Sequence, residues 1–272
     1  MSLIVITATV VMAQRRGFRR SVADRGDVPV WSNEPGFEQD VFTFVRIEYD
    51  SSYSGGRGWG RSGNGWATDY RDADLNLSYR LQQLTSMKVD PEGRRLRLTD
   101  PDLFNHPFIY IVEPGRLEFS DEEVKLLRRY LLSGGFLMVD DFWGELQWQN
   151  FYQEMKRVLP GREPVELEMD HPIFHGVFDL NRGKNDMQIP ALGVSRYRNG
   201  ITWENHDGEE CRDVHFKAYL DDKGRMMAFI AHNTDNGDGW EREGDDEFYF
   251  LEYSEKKAYP LAINVIFYTM TH

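Results

Sequence analysis

Two short apolar runs constrain the fold of this chain more than any other feature of its sequence. They are Phe108–Val112 and residues 136–139, and no charged residue interrupts either of them. Between them, Ser120-Asp121-Glu122-Glu123 matches the capping box that begins a helix, and Ser133-Gly134-Gly135 supplies the glycine that ends one. Strands without polar alternation are typical of parallel sheets that are covered on both faces. The sequence therefore predicts two parallel strands connected by a helix.

The rest of the chain continues this alternation of strands and helices. Further strands are expected at residues 41–48, 87–89, 95–99, 165–169, 214–220 and 225–232, the last two as an antiparallel hairpin. Further helices are expected where apolar residues recur at helical spacing, namely Ala73, Leu77, Leu81 and Leu84; Trp148, Tyr152, Met155 and Leu159; and Ile263, Phe267 and Met270. The predicted fold class is α/β, a doubly wound, mostly parallel sheet with a β-hairpin-rich C-terminal addition.

The composition excludes several classes of protein. The chain has 272 residues, of which 40% are hydrophobic, so it can build a large core. Its formal net charge of −13 argues against nucleic acid as a main partner, because a phosphate backbone is bound by clustered Lys and Arg. A single cysteine, Cys211, excludes an intrachain disulfide and a cysteine-rich metal cluster. One domain over residues 41–272 is favoured, with residues 181–213 as the only candidate boundary inside it.

The N-terminus resembles a secretory signal. Residues 3–11 are apolar and end at Val11-Met12-Ala13, a small-residue pattern that signal peptidase accepts. A buried first strand is the alternative for this β-branched run, and nine residues are too few to span a membrane. We therefore expect a signal peptide at residues 1–13, a polar linker at residues 14–40, no transmembrane span, and a periplasmic or secreted protein.

Polar residues follow several of the predicted strands, at the edge where ligands bind in open α/β sheets. Asp140 and Asp141 follow residues 136–139, and Glu113 follows Phe108–Val112. We name Asp140, Asp141, His171 and His232 as candidate catalytic residues, and Asp69, Glu113, Trp143, Asn233 and Asp235 as candidate ligand-binding residues. No cofactor is assigned, although such carboxylates could hold a divalent metal. The alternative is that Asp140 and Asp141 only cap the next helix.

Two further stretches have motif-like composition. Residues 58–63 match G-x-G-x-x-G but lack the adjoining strand and helix of a dinucleotide site, so a surface loop that acts as a lid is the better interpretation. Residues 235–247 are rich in Asp and Glu and are interpreted as a solvated loop, with a calcium loop as the alternative.

Two histidine patterns give weak metal signals. His206, Cys211 and His215 offer three nitrogen and sulfur ligands, but their spacing matches no strong zinc motif. His171 and His175 would need a helix to converge, and Pro172 between them disfavours one. Neither pattern is therefore assigned to a metal.

Six blocks of sequence, in order along the chain, together carry a resemblance to a known family. They are residues 65–69 with 73–77, residues 100–104 with 106–108, residues 131–137 running into Asp140-Asp141, His171-Pro172-Ile173-Phe174, His232-Asn233-Thr234-Asp235, and Ala262-Ile263-Asn264 with Thr271-His272. They resemble the bacterial domain-of-unknown-function family 4159 over residues 41–272.

This resemblance implies a class I glutamine amidotransferase-like fold, near the ThuA-like proteins and flavodoxin-like in layout. Members are typically exported or membrane-tethered, and they are often encoded beside MoxR-type ATPases and von Willebrand factor A proteins, which are the implied partners. In the amidotransferases a cysteine stands at the turn after a central strand, whereas the corresponding turn here holds Asp140 and Asp141. Cysteine-based amide hydrolysis is therefore not expected.

Three functions follow as hypotheses. The leading one is an exported protein without amidotransferase activity that binds a small molecule or a protein partner. The alternative is a hydrolase that uses carboxylates and histidines, with or without a metal, or a carbohydrate-binding protein. The third is a structural module of an assembly.

Overall fold

The secondary structure alternates strands and helices along the whole described chain. The structure is a computed structural model, and it describes residues 28–36, 40–51, 65–206 and 208–272. The strands are β1 (Val41–Phe42), β2 (Val45–Ile47), β3 (Asp50–Ser51), β4 (Lys88–Val89), β5 (Arg94–Leu96), β6 (Phe108–Val112), β7 (Leu117–Glu118), β8 (Phe136–Asp140), β9 (Val165–Glu166), β10 (His215–Leu220) and β11 (Met226–His232). The α-helices are α1 (Asp72–Leu84), α2 (Asp121–Leu132), α3 (Gly144–Val158), α4 (Leu192–Ser195), α5 (Asn236–Glu241), α6 (Glu247–Tyr249) and α7 (Tyr259–Thr271), with a π-helix at Phe250–Ala258.

Seven of the strands form one central sheet in the order β5–β2–β6–β8–β11–β10–β9. The pairs β5–β2, β2–β6, β6–β8 and β8–β11 are parallel. The pairs β11–β10 and β10–β9, at one end of the sheet, are antiparallel. The predicted α/β class with a mostly parallel sheet is therefore confirmed. β5 and β6 lie on opposite sides of β2, so the chain changes winding direction there. In open sheets such a switch leaves a crevice at the carboxyl ends of the strands.

The core is divided between the two faces of the sheet, because successive side chains of a strand point to opposite faces. Phe108 and Tyr110 of β6 pack on one face, with residues of α1 and α7. Ile109 and Ile111 pack on the other face, with residues of α2 and α3. All five residues of β6 and all five of β8 are buried. Both apolar runs therefore form strands covered on both faces, as the sequence predicts.

The capping box of α2 is also confirmed. The Ser120 hydroxyl accepts from the Glu123 amide at 3.3 Å, and the Glu123 carboxylate accepts from the Ser120 amide at 2.9 Å. Gly134 ends the helix with a positive φ of +111°.

Three strand predictions need correction. The run at 41–48 is divided into β1 and β2, and β1 pairs with β4 outside the central sheet. The strand expected at 165–169 is reduced to β9, an exposed, antiparallel edge strand whose two residues cannot bury an apolar face. The hairpin of β10 and β11 is not an addition to the sheet, because β11 is fully buried and pairs in parallel with β8.

The helices also differ from expectation at their apolar faces. Leu84, Phe267 and Met270 are exposed, and each lies within the last five residues of its helix. Residues 235–247 do not form a solvated loop: they begin with α5, in which Asp238 and Trp240 are buried. Some acidic residues of that stretch are therefore buried and have specific partners, as Asp238 has with Arg242 and the Leu192 amide.

A buried ion pair connects the sheet to α1. Arg46 in β2 is fully buried, and its Nε donates to Asp74 of α1 at 3.0 Å. Its guanidinium also lies over the Tyr110 ring, 5.1 Å from the centroid. A buried charge without a partner is costly, so each member of this pair depends on the other.

Replacing Asp74 should therefore destabilise the fold strongly. We expect Asp74→Ala to lower the free energy of unfolding by about 3–5 kcal/mol, since Arg46 would remain buried without its partner. Urea denaturation would measure the loss. The exposed pair of Asp121 with Arg157 gives a matched control, because Asp121→Ala should cost less than about 1 kcal/mol. Equal losses in the two variants would contradict this account of the pair.

Candidate functional site at the carboxyl edge of the sheet

Three neighbouring strands are each followed by a residue with a left-handed backbone. Glu113 (φ +47°), Asp141 (φ +54°) and Asn233 (φ +61°) come directly after β6, β8 and β11. Residues other than glycine rarely adopt this conformation, and it often marks functional sites, where the surrounding structure maintains the strain. Because these strands are adjacent in the sheet, the three turns lie side by side at its carboxyl edge.

A fourth left-handed residue, Asp69 (φ +60°), is held at the same edge by the segment before α1. Arg46 donates to the carbonyl oxygens of Trp66 at 3.0 Å and of Thr68 at 2.8 Å. The buried guanidinium that pairs with Asp74 therefore also fixes the segment that carries Asp69. Gly237 in α5 contacts the Asp69 carboxylate so closely that any Cβ at position 237 would overlap with it.

Asp69, Asp141 and Asp235 form a group that we call the carboxylate triad. One carboxylate oxygen from each lies within 4.8 Å of the others. The Trp143 indole N–H donates to Asp141 Oδ1 at 2.9 Å, and the Asp238 amide donates to Asp235 Oδ1 at 2.7 Å. Asp69 Oδ2 is buried and has no hydrogen-bond partner. The triad is therefore only partly satisfied by the described residues around it.

Burial and mutual repulsion make the triad hard to ionise. Burial, followed by the charges of neighbouring carboxylates, raises the pKa of Asp69, Asp141 and Asp235 well above its usual range. Three adjacent buried carboxylates can coexist at neutral pH only if they keep protons or share a cation. The triad could accordingly hold a metal ion.

A second acidic group shares Asp69 but has a cation of its own. Asp69, Asp238 and Glu241 also approach within 4.8 Å of one another. Arg242 pairs with Asp238 at 3.0 Å and with Glu241 at 2.6 Å. Asp238 also accepts from the Leu192 amide at 2.6 Å. The guanidinium thus neutralises this group, whereas no Lys or Arg within the described ranges pairs with a member of the carboxylate triad.

Asp140 lies beside the triad but is fully engaged by the fold. Its carboxylate accepts from Asn236 Nδ2 at 2.7 Å, from the Gly237 amide at 3.0 Å and from the Tyr110 hydroxyl at 3.2 Å. Burial raises the pKa of Asp140 to about 6, although these hydrogen bonds act in the opposite direction. The arrangement corresponds to the capping alternative, with α5 rather than the next helix as the one that is held.

The two histidines named from the sequence lie in separate places. His232 is buried against Phe142 and Trp148 and bonds the Gly144 carbonyl oxygen at 3.1 Å. His171 caps the 3₁₀ turn Pro172–Phe174 and packs on Tyr268 of α7. Within the described chain, neither imidazole bonds to the triad. The structure therefore does not bring the four candidate catalytic residues together.

The remaining candidates border the triad in different roles. Glu113 is exposed and its carboxylate bonds to Thr68. Trp143 is buried, so it orients Asp141 and offers no open ring face for a sugar. Asn233 connects two turns, because its Oδ1 accepts from the Gly144 amide at 2.8 Å and its own amide donates to the Phe142 carbonyl at 2.9 Å.

Sequence reasoning missed Glu204 at this edge. Glu204 contributes negative charge near Asp141 and Asp235, and it pairs with His206 at 2.6 Å. His206 in turn stacks on Trp143. Glu204 lies in a segment that has neither helical nor strand periodicity, so the sequence pattern does not predict where its side chain lies.

The other motifs do not form sites within the described residues. His206, Cys211 and His215 have different partners, namely Glu204, the Glu209 carbonyl and Glu166. His175 pairs with Asp179, away from His171. The predicted signal peptide, most of the linker and the G-x-G-x-x-G loop lie outside the described residues.

The fold and the site define an α/β protein with a cluster of buried carboxylates at the carboxyl edge of a mostly parallel sheet. A family model described as a domain of unknown function (DUF4159) matches residues 43–270, and the chain belongs to this family. No curated protein matches the chain significantly. In the part of the chain that the structure describes, every helix is too short or too polar to be a candidate membrane span.

The raised pKa values predict an unusual pH dependence of stability. A carboxylate whose pKa is raised on folding favours the folded state at low pH and loses that contribution as the pH rises through the folded pKa. Without divalent cations, lowering the pH from 7 to 5 should therefore increase the contribution of these carboxylates to the free energy of unfolding. Asp140 alone should contribute about 1 kcal/mol. The buried His232 acts in the opposite direction, because burial lowers its pKa to about 3 and protonation of the unfolded chain at pH 5 favours unfolding. Urea denaturation of His232→Phe in EDTA at both pH values therefore tests the carboxylates, and a decrease at pH 5 would contradict the described electrostatics.

Proposed function

We propose that this protein is a cation-dependent binding module whose carboxylate triad holds a divalent metal ion and presents it to a ligand. Two observations carry the proposal: one carboxylate oxygen each of Asp69, Asp141 and Asp235 lies within 4.8 Å of the others, and Asp69 Oδ2 is buried without a hydrogen-bond partner among the described residues. Desolvated carboxylates of this kind are strongly destabilising unless they are protonated or bound to a cation. A metal ion would remove the repulsion among all three at once.

The second acidic group supports this interpretation as an internal comparison. Asp238 and Glu241 resemble the triad in spacing, although Glu241 is partly exposed, and there the chain supplies the cation itself through Arg242. The triad shares Asp69 with that group but pairs with no guanidinium or ammonium group of the described residues. A cation from solution, bound by the triad, would neutralise its carboxylates as Arg242 neutralises Asp238 and Glu241.

The ligand atoms indicate the class of metal. All three donors are carboxylate oxygens, which suit hard cations such as Ca²⁺, Mg²⁺ and Mn²⁺. Oxygens that bind Ca²⁺ at roughly 2.3–2.6 Å can lie up to about 5 Å apart across the ion, and the triad oxygens lie within 4.8 Å of one another, which is compatible with a shared ion. Three protein ligands would leave coordination positions for water or for a ligand.

Amide hydrolysis through a cysteine has little support. Asp141 occupies the left-handed turn after β8, where the amidotransferase-like fold would need a nucleophilic thiol. Cys211 is fully buried, its burial raises the pKa of the thiol, and its sulfur lies 3.8 Å from the Glu209 carbonyl. A protonated thiol without access to solvent is a poor nucleophile.

A hydrolase is the second candidate, and Glu113 favours it. This exposed carboxylate follows β6 in a strained conformation and is close enough to Asp141 to raise its pKa, after the larger effect of burial. A metal ion on the triad would activate a bound water molecule, and Glu113 could accept its proton. This role differs from the set of Asp140, Asp141, His171 and His232 expected from the sequence.

Metal binding should stabilise the protein measurably. At a hundredfold excess over Kd, a bound cation adds about 2.7 kcal/mol, which corresponds to roughly 5–10 °C in Tm for a chain of this size. We expect Ca²⁺ or Mn²⁺ to raise Tm by this amount in wild-type protein stripped with EDTA, and Asp69→Asn to lower the affinity at least tenfold. Thermal-shift and calorimetric titrations measure the two effects.

Asp140→Asn is the matched control for that experiment. It also removes a buried carboxylate at the same edge, but its oxygens already accept from three protein donors. Cation affinity should therefore remain within about threefold of wild type. If wild-type protein shows no saturable cation binding, or if both variants lose it equally, the triad is not the metal site.

The hydrolase candidate has its own test. Wild-type protein loaded with Mn²⁺ should hydrolyse aryl phosphate or aryl ester probes, and Glu113→Gln should reduce kcat at least a hundredfold while metal affinity stays the same. Cation binding without turnover of any probe by wild-type protein would leave the binding module as the function.

Export and partners are also proposals. The apolar residues 3–11 and the small residues up to Ala13 support a signal peptide, and hence a periplasmic or secreted location. The family resemblance supports partners among MoxR-type ATPases and von Willebrand factor A proteins. Fractionation of cells that express the full chain would test export, since a cytoplasmic and uncleaved product would contradict it.

A further inference from the structure

A cavity between the start of α1 and the segment that leads into β5 is rich in arginine. It measures about 270 Å³, and no residue of the carboxylate triad lines it. Three of its seven lining residues are arginines, namely Arg71, Arg94 and Arg95. The whole chain carries a formal net charge of −13, so a wall with more basic than acidic residues is a local departure from the chain as a whole. Such a wall favours an anion.

The two carboxylates in the wall of this cavity already have guanidinium partners. Asp74 is buried and accepts from Arg46 Nε at 3.0 Å. Arg46 is not itself a lining residue, so it neutralises Asp74 without using an arginine that borders the cavity. Glu92 pairs with Arg71. The carboxylates of the wall therefore leave the charges of Arg94 and Arg95 uncompensated.

Arg94 has no partner for its guanidinium group within the described ranges. Its residue is exposed, and its side chain makes neither an ion pair nor a hydrogen bond with any described residue. Arg95 lies 3.3 Å from Glu48, but the same carboxylate also lies 3.5 Å from Arg97. The Arg95 guanidinium is further positioned by the Trp66 ring, 5.2 Å from its centroid. Two guanidinium groups are thus available to an anion in the cavity.

Two neutral donors complete the wall. Gly93 has a φ of +64°, and a Cβ at this position would lie only 3.0 Å from the Phe44 carbonyl oxygen, so glycine is required. The wall therefore contains bare backbone at this point, and the Gly93 amide makes no hydrogen bond within the described chain. The hydroxyl of Tyr70 likewise has no partner among the described residues. Both groups can donate to an anion.

We propose that this cavity binds the phosphate group of a phosphomonoester, with Arg94 as its main contact and Arg95 beside it. Guanidinium groups bind phosphate oxygens in pairs, and a phosphate monoester carries nearly two negative charges at neutral pH. The volume of about 270 Å³ lies just below the usual range for drug-sized ligands. It therefore suits a phosphate group with the first atoms of its ester. The site does not depend on a metal ion at the carboxylate triad.

The test compares phenyl phosphate with benzoate, which have the same ring and differ in the anionic group. Wild-type protein in EDTA should bind phenyl phosphate saturably, and roughly fivefold or more tightly than benzoate, because the phosphate offers more oxygens and more charge. Arg94→Gln should lower the affinity for phenyl phosphate roughly tenfold or more, since it removes a charge-assisted contact. Calorimetry at constant ionic strength measures these affinities, and EDTA separates the result from the metal proposal.

Arg97→Gln is the matched control. It removes the same charge three residues further along, from a side chain that does not line the cavity and that pairs with Asp50 at 2.9 Å. Its affinity for phenyl phosphate should stay within about twofold of wild type. The proposal is overturned if wild-type protein shows no saturable binding, if benzoate binds as tightly, or if the two variants lose affinity equally.

Amide NMR of wild-type protein decides the matter if Arg94→Gln does not fold. Phenyl phosphate should shift the Gly93 and Arg95 amide resonances saturably, because both residues line the cavity. Equal shifts of the Arg196 and Arg198 amides, which belong to exposed arginines elsewhere on the surface, would contradict a specific site.

Discussion

Repulsion among buried carboxylates is the interaction on which the carboxyl edge of this sheet depends. Asp69, Asp141 and Asp235 bring three acidic groups within 4.8 Å in a region from which water is largely excluded. Low local polarity strengthens both their repulsion and their attraction for a cation. The same chain neutralises the neighbouring Asp238 and Glu241 with Arg242, which indicates the type of partner that the triad needs.

The rest of the edge is arranged so that this repulsion cannot relax. Left-handed turns at Asp141 and Asn233 follow directly from buried strands, and Asn233 connects the two turns by hydrogen bonds. Arg46 donates hydrogen bonds to the carbonyl oxygens of Trp66 and Thr68, and so fixes the segment that carries Asp69. Such strain is retained where structure and function both require a fixed geometry. The left-handed turns reduce the stability of the fold, and the large apolar clusters on the two faces of the sheet compensate for that loss.

Much of this fold could be predicted from local pattern, whereas the site could be predicted only in part. The apolar runs at β6 and β8 are too short for a buried helix and fit a buried strand, and the rule that ligands bind at strand ends directs attention to Asp141 and Asp235. That rule does not show which carboxylates already accept hydrogen bonds from other parts of the protein. Asp140 has the same sequence context as Asp141, and only tertiary hydrogen bonds from Asn236 and Tyr110 distinguish the two.

Other parts of the site depend on contacts that no local pattern encodes. Residues 235–247 have the composition of a solvated loop, yet burial of Trp240 against the sheet draws Asp238 into the interior. The sequence predicts His171 at the carboxyl edge of the sheet because it predicts a full strand before that residue. The short, exposed β9 leaves His171 against Tyr268 instead.

The central claim is that a divalent cation resides on the carboxylate triad. The most direct measurement is a crystal structure of wild-type protein soaked in Mn²⁺, with anomalous differences recorded to locate the metal. The account predicts one strong peak within about 2.0–2.6 Å of oxygens from Asp69, Asp141 and Asp235. A map with no peak there at saturating Mn²⁺, and with the three carboxylates in place, would contradict it.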